Sequence, residues 1–279
     1  MAEVTKGKVF SPSQTSVFLE CEMRWFLRYR QRYEGKFYMQ KEIAGCVGSA
    51  FHTYFEFEEE GHKVALQRAV HDFHERMGKL KEVRQCSERA SAYEAAAPER
   101  LKKLIDLYVR KNPIPASWEI FDRERVFPDH GFSRIDAMYR TSMGVLGPLD
   151  FKTRGRLQAN QVDKARREFG TSGQLMHYCW MASEVYGETV NQASIVLITL
   201  EPRAFIEIWQ YRFREKTLET WLAGRREAWA DMERIIAGER TPVMADVHEN
   251  KYGICESHDI CFKHGFEESL IDQHFIVLQ

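Results

Sequence analysis

The apolar positions of this chain change period once, near residue 115, and the change separates a helical part from a mixed one. Before it, Val17, Phe18, Cys21, Trp25, Phe26 and Tyr29 fall on one helix face. They follow Ser11-Pro12-Ser13-Gln14, where serine caps, proline takes the first helical position and glutamine sits at N3. Gly45 to Glu60 reads as a second helix with Val47, Phe51, Tyr54 and Phe55 inward, and Lys63 to Leu80 and Ser87 to Arg110 as two more. Asn112-Pro113-Ile114-Pro115 ends the run, because proline lacks the N–H that a helix interior needs.

Beyond it, Ser117 to Phe127, Phe132 to Tyr139 and Val145 to Lys152 predict three strands with turns at Gly131 and Gly144. A basic loop follows, with Lys152, Arg154, Arg156, Lys164, Arg166 and Arg167. Thr171-Ser172-Gly173-Gln174 then opens a helix to about Tyr186, with the threonine as cap. Gln192 to Leu200 and Ala204 to Phe213 predict two further strands, Lys216 to Ala237 a long amphipathic helix, and the tail from Thr241 mostly loop. Helix, three strands, helix, strand, strand is the order of an α/β sheet made by a meander and a helical crossover. One domain over residues 1–279 accommodates it: a helical part (10–115), a sheet core (116–213) and a C-terminal helix with its tail (214–279).

Charge changes this picture little. Forty basic residues face 41 acidic ones, so a uniformly cationic surface is excluded while a local basic groove is not. No run approaches the roughly 20 apolar residues of a membrane span, and the first residues lack the apolar core of a signal peptide. A cytoplasmic protein without a membrane partner is expected, its six cysteines reduced or ligating metal.

The chemistry concentrates at Asp150-Phe151-Lys152, which ends an apolar run fourteen residues after Asp136. Alternate side chains of a strand share a face, so Asp150 and Lys152 point one way and Phe151 the other. Asp136 reaches the same spot from the preceding strand. Two carboxylates suit Mg²⁺ or Mn²⁺, the Phe151 backbone carbonyl offers a third oxygen, and a nitrogen from His52 tilts the preference toward Mn²⁺. Lys152 can orient a water, lower its pKa, or stabilise charge on phosphorus. Gln174 and Tyr178 stand four apart, on one helix face. Glu124, within the charged run Asp122 to Arg125, is a weaker outer ligand.

Five pieces in order resemble the PD-(D/E)XK nuclease superfamily, and within it the RecB-like exonuclease branch, which is related to CRISPR-adaptation and phage-encoded exonucleases. They are Gly48 to His52, Glu124 on the first strand, Arg134-Ile135-Asp136 with Ser133 in place of a glycine, Leu149 to Thr153, and Gln174 to Tyr178. The resemblance implies a restriction-endonuclease-like αβββαβ core and metal-dependent phosphodiester hydrolysis. Asp136, Asp150, Lys152, Gln174, Tyr178 and Glu124 would then be catalytic, and His52, Asp136, Asp150 and the Phe151 carbonyl metal ligands. It also implies an iron–sulfur site for some members, with one early cysteine and three late ones. Here Cys21, Cys255, Cys261 and His264 match only in part, since a third late cysteine is missing, and Zn²⁺ suits such a set equally. The implied partner is DNA, as a single strand or duplex ends. No Walker-type glycine loop supplies a motor, so unwinding would fall to a helicase or recombination partner. An inactive binding protein on the same fold, an endonuclease of the same superfamily and an RNA hydrolase stay open at this point.

Overall fold

The computed structural model of the protein describes residues 8–35, 37–88, 90–245, 249–250, 253–255, 257, 259–263, 266 and 275–277. In chain order its helices and strands begin with α1 (Pro12–Glu20), α2 (Glu22–Trp25), β1 (Tyr33–Gly35) and β2 (Phe37–Tyr38). Then come α3 (Gln40–Glu56), α4 (His62–Val83), β3 (Gln85–Cys86) and α5 (Ser91–Lys111). The sheet region holds β4 (Glu119–Phe121), β5 (Arg125–Phe127), β6 (Ser133–Ile135), β7 (Ala137–Arg140) and β8 (Leu146–Arg156). After it run α6 (Val162–Gly170), α7 (Gly173–Tyr186), β9 (Gln192–Glu201), β10 (Phe205–Arg212) and α8 (Glu215–Ile236). The tail adds β11 (Glu249–Asn250), β12 (Gly253–Ile254) and β13 (Phe275–Val277).

The five-stranded sheet has the order β10-β9-β8-β7-β4. Antiparallel pairs are the rule except between β8 and β9, which run parallel through the α6–α7 crossover. The expected meander and crossover are therefore present. β9 is buried on both faces, as a central strand should be: Val196 and Ile198 join the core under α3, α4 and α5, while Ile195 and Leu197 join the core under α7. A third apolar cluster joins Trp25 and Phe18 to Trp229 and Met232 of α8. Trp25 is wholly buried, so the early aromatic stripe is core. No helix among the described residues is long and apolar enough to cross a membrane.

Several elements differ from the sequence reading. The first helix breaks at Cys21, because the Met23 N–H that would continue it donates to the Val243 carbonyl at 3.1 Å. Glu22 accepts from the Val243 N–H at 2.9 Å and from Arg240 at 2.7 Å, so the chain after α8 is bound to this break. The tail is not all loop: β13 pairs with β1. The expected basic loop is instead the end of β8 and then α6, whose Val162, Ala165 and Phe169 recur at helical spacing among charged neighbours. Ser172, not Thr171, caps α7.

The span Ser117 to Phe127 is two short strands rather than one. Asp122 and Glu124 take left-handed backbone conformations (φ 50° at each), and Glu124 lies in the turn, not on a strand. The Glu124 N–H donates to the Asp136 carbonyl at 2.9 Å, which draws the turn inward. Asp136 itself sits at the break between β6, paired with β5, and β7, paired with β8.

Candidate active site

β8 carries Asp150 and Lys152 on one face and Phe151 on the other, as strand alternation requires. Phe151 is 1% exposed and meets the Phe55 ring at 4.2 Å between centroids. That packing binds β8 to α3. Gly48 of α3 permits the approach, since a Cβ there would lie 3.2 Å from Thr153 Oγ1. One helical turn on, the same helix delivers His52 to the strand end.

There His52 Nδ1 lies 3.0 Å from Glu124 Oε1 and 3.3 Å from Asp136 Oδ1. Among the described residues these three form a group whose ligand atoms all fall within 4.8 Å of one another. Asp136 Oδ2 accepts the Phe151 N–H at 2.6 Å. Lys152 Nζ sits 2.9 Å from Asp150 Oδ1 and 2.8 Å from Oδ2. The contact with Oδ2 lacks hydrogen-bond direction, so that buried oxygen keeps an unfilled lone pair. Glu124 Oε2 is in the same condition beside Arg134 Nε at 2.9 Å. Buried carboxylate oxygens facing only cations off-axis, with an imidazole beside them, make a donor set that fits a hard divalent ion.

Burial alone would push His52 down, but the charges of Asp136 and Glu124 raise it to about 10. Burial raises Asp150 to about 6 against the pull of Lys152, and Asp136 adds to the rise. Asp136 is held down: His52, Lys152 and the Phe151 N–H outweigh its burial. For Lys152, Asp150 and Asp136 outweigh burial and raise it. The site therefore holds two cations, Lys152 and the His52 imidazolium, against one firmly ionised and one readily protonated carboxylate, and a metal held by His52 would displace the imidazole proton.

From α7, the Gln174 amide donates to the Tyr178 hydroxyl at 2.7 Å. Burial, then the charges of Asp150 and Asp136, keep the Tyr178 phenol protonated. Tyr178 thus belongs to the same electrostatic site as the two aspartates.

Glu124, read as an outer ligand, stands in the inner group. Asp150 is gripped by Lys152 and lies outside that group. Arg134 and Glu56 stand beside Glu124, outside the residues that the sequence marks as the site. Arg134 pairs with Glu124, and Glu56 is raised first by burial and then by the Glu124 charge. The sequence signal for Arg134 is its place two residues before Asp136 on an exposed strand face; for Glu56, its place one turn beyond His52.

Cys21, Cys255 and Cys261 are neighbours: burial first, then Cys255 and Cys21, raise the Cys261 thiol to about 11. Their sulfurs do not meet the close spacing of the histidine–carboxylate group, and Cys21 Sγ accepts the Arg24 N–H at 3.4 Å. His264 lies outside the described residues. Burial pushes Cys179 up to about 12 and also raises Cys46, as expected of ordinary packed thiols.

An αβββαβ core with carboxylates, histidine and lysine converging at one strand end defines a class of phosphodiester-cleaving folds. A profile of the PD-(D/E)XK nuclease superfamily matches residues 9–262, and the chain belongs to that superfamily. No curated protein matches it. Among solved structures it is similar to a candidate exonuclease from Eubacterium rectale. That match has 16% identity and a TM-score of 0.45, over 86% of this chain and 85% of the other. SSO0001 matches at 14% identity and a TM-score of 0.23, over 69% of this chain and 76% of the other.

Proposed function

We propose that this nuclease-family protein hydrolyses DNA phosphodiester bonds with the help of Mg²⁺ or Mn²⁺. The observation that carries the reading is the convergence of His52, Glu124 and Asp136 beside the Asp150–Lys152 pair. His52, Asp136, Glu124, the freed oxygen of Asp150 and the Phe151 carbonyl would hold the cation. When bound, it neutralises phosphate charge and makes water acidic enough to attack at neutral pH. Lys152 directs its ammonium at the attacking water or at the oxygen where charge grows. Gln174 and Tyr178 hold a phosphate oxygen in place, and Arg134 faces the strand from the rim.

The five RecB-like motifs favour an exonuclease or end-processing enzyme of recombination, repair or phage DNA metabolism, fed by a helicase partner. End-labelled linear DNA, single- and double-stranded, beside closed circles and RNA tests this. Loss of linear DNA with intact circles and RNA is expected. Nicked or linearised circles would make the protein an endonuclease, and loss of RNA would change the substrate. Cys21, Cys255, Cys261 and His264 are assigned on the same reading to an iron–sulfur cluster or Zn²⁺ that fastens the tail to the break after α1. The proximity of the three cysteines supports it.

A further inference from the structure

Phe132 stands on the turn between β5 and β6 with its ring turned to solvent, 76% exposed. None of the apolar clusters among the described residues includes it. Its backbone is left-handed (φ 52°), directly after Gly131 at φ 71°. Glycine takes that conformation freely, whereas a bulky side chain there is strained. The fold thus keeps a strained residue whose side chain does nothing for the core.

The turn itself is not loose. A Cβ on Gly131 would lie 2.6 Å from the Phe10 carbonyl carbon and 2.7 Å from the Ser11 nitrogen, so backbone packs on backbone at the start of α1. His130 is buried, with Nε2 3.1 Å from Glu184 Oε2 and its ring 5.2 Å from that of Trp180. Ser133, also buried, donates its hydroxyl to the His130 carbonyl at 2.6 Å. The Phe132 N–H donates to the Pro128 carbonyl at 3.3 Å. Every neighbour of Phe132 is anchored, and the ring is held out at a defined place. Strain persists where the surroundings over-determine it, and such outliers cluster at ligand contacts.

The ring stands beside the active site. β6 runs from Ser133 to Ile135 and straight into Asp136. Arg134 lies two residues beyond Phe132, about 7 Å along extended chain. Its half-exposed guanidinium, 2.9 Å from Glu124 Oε2, touches the histidine–carboxylate group. Val126, exposed, is the register partner of Arg134 across the hairpin. Two apolar side chains fall far short of the roughly 800 Å² that a partner protein covers on each side. One aromatic face suffices for one base, and a neighbouring guanidinium suits its phosphate.

We infer that Phe132 is a stacking platform for one base of a single-stranded substrate, next to Arg134 at the entrance of the site. The inference rests on the nuclease reading and deepens it, because it names an unpaired strand as what the site receives. Stacking on a ring is tolerant of sequence, so no preferred base is implied.

The test uses labelled single-stranded oligonucleotides in which one nucleotide at a time is abasic. Affinity is read by fluorescence anisotropy in EDTA, and cleavage with Mn²⁺ or Mg²⁺. For the unmodified protein, one abasic position should weaken binding about tenfold, the lower end of the scale for a base on an aromatic ring. Phe132→Asn, whose side chain tolerates the left-handed backbone, should bind the intact strand about tenfold more weakly. It should show no further loss at that position and keep the thermal midpoint. Phe132→Trp should retain both affinity and the abasic sensitivity.

Wild-type affinity for Phe132→Asn, or an abasic pattern unchanged in it, would overturn the inference and turn the ring toward a protein partner. A lowered midpoint with that pattern unchanged would make Phe132 a packing residue and overturn it equally. The expected binding pattern without cleavage by the unmodified protein would support the stacking site and strike the nuclease reading instead.

Discussion

Asp136 and Phe151 are tied across the break before β7: Asp136 Oδ2 accepts the Phe151 N–H at 2.6 Å, fifteen residues along the chain. Phe151 lies between Asp150 and Lys152, so one bond fixes three charged groups relative to one another. Replacing Asp136 by alanine leaves a buried N–H without an acceptor, at a cost of about 1–3 kcal/mol. Asparagine retains an acceptor oxygen and should cost less, while both variants lose cleavage. Urea unfolding of the pair checks this, and equal destabilisation would show that the bond does not matter to the fold.

The ring of Phe151 holds β8 to α3 through Phe55, at 4.2 Å, and through Phe51 and Tyr108, each at 5.8 Å. Phe151→Ala should cost about 3–5 kcal/mol, whereas Phe151→Leu, close in volume, should cost less than about 1.5 kcal/mol. Losses of similar size in the two variants would argue against a cavity as the cause.

His177 gives the fold an acid sensitivity. Ser133 Oγ donates to the His130 carbonyl at 2.6 Å, so it accepts from His177 Nε2 at 2.9 Å. Burial pushes His177 down to about 3, against an opposing backbone hydrogen bond with His130, and the charges of His130 and Arg225 add to the fall. The ordinary value applies once the chain unfolds, so below pH about 6.5 the unfolded chain binds the extra proton. The stability this site contributes is complete above that pH and falls by about 1.4 kcal/mol per unit as pH drops toward 3. His177→Gln, which can donate to the same hydroxyl, should flatten the curve. Asp150 runs the other way: raised to about 6, it gains stability as pH falls through that value. The difference between wild type and His177→Gln isolates the histidine, and parallel curves from pH 7 to 4 would contradict the assignment.

Protein purified without chelator should carry iron or zinc near one equivalent per chain, if the cysteines close the tail onto the first helices. Cys21→Ser and Cys261→Ser should lose it together with several degrees of thermal midpoint, as removal of a structural metal does. Elemental analysis and the visible spectrum separate the two metals. Metal-free protein with an unchanged midpoint in both variants would leave the cysteines as packed thiols.

Much of this molecule is legible in its sequence because period and function coincide. The alternation around Asp150 and Lys152, the helical spacing of Gln174 and Tyr178, and the Gly48-to-His52 turn each specify a face, and faces survive folding. Glu124 is harder. Its neighbours Ile120, Phe121, Val126 and Phe127 read as strand, yet a left-handed turn, held by the Asp136 carbonyl, carries it into the site. Contacts distant in sequence decide that, and the break at Cys21 follows the same rule, since its cause is Val243.

The central claim is that Lys152 and the histidine–carboxylate group make a metal-dependent nuclease. Cleavage of end-labelled DNA should be followed with Mn²⁺, Mg²⁺ or EDTA, for wild type and Lys152→Ala. The account predicts cleavage with either cation and none in EDTA. It also predicts a loss of about a hundredfold or more in Lys152→Ala, the scale for removing one group that stabilises developing charge. Cleavage that survives EDTA, or a folded Lys152→Ala that cuts as fast as wild type, would contradict it.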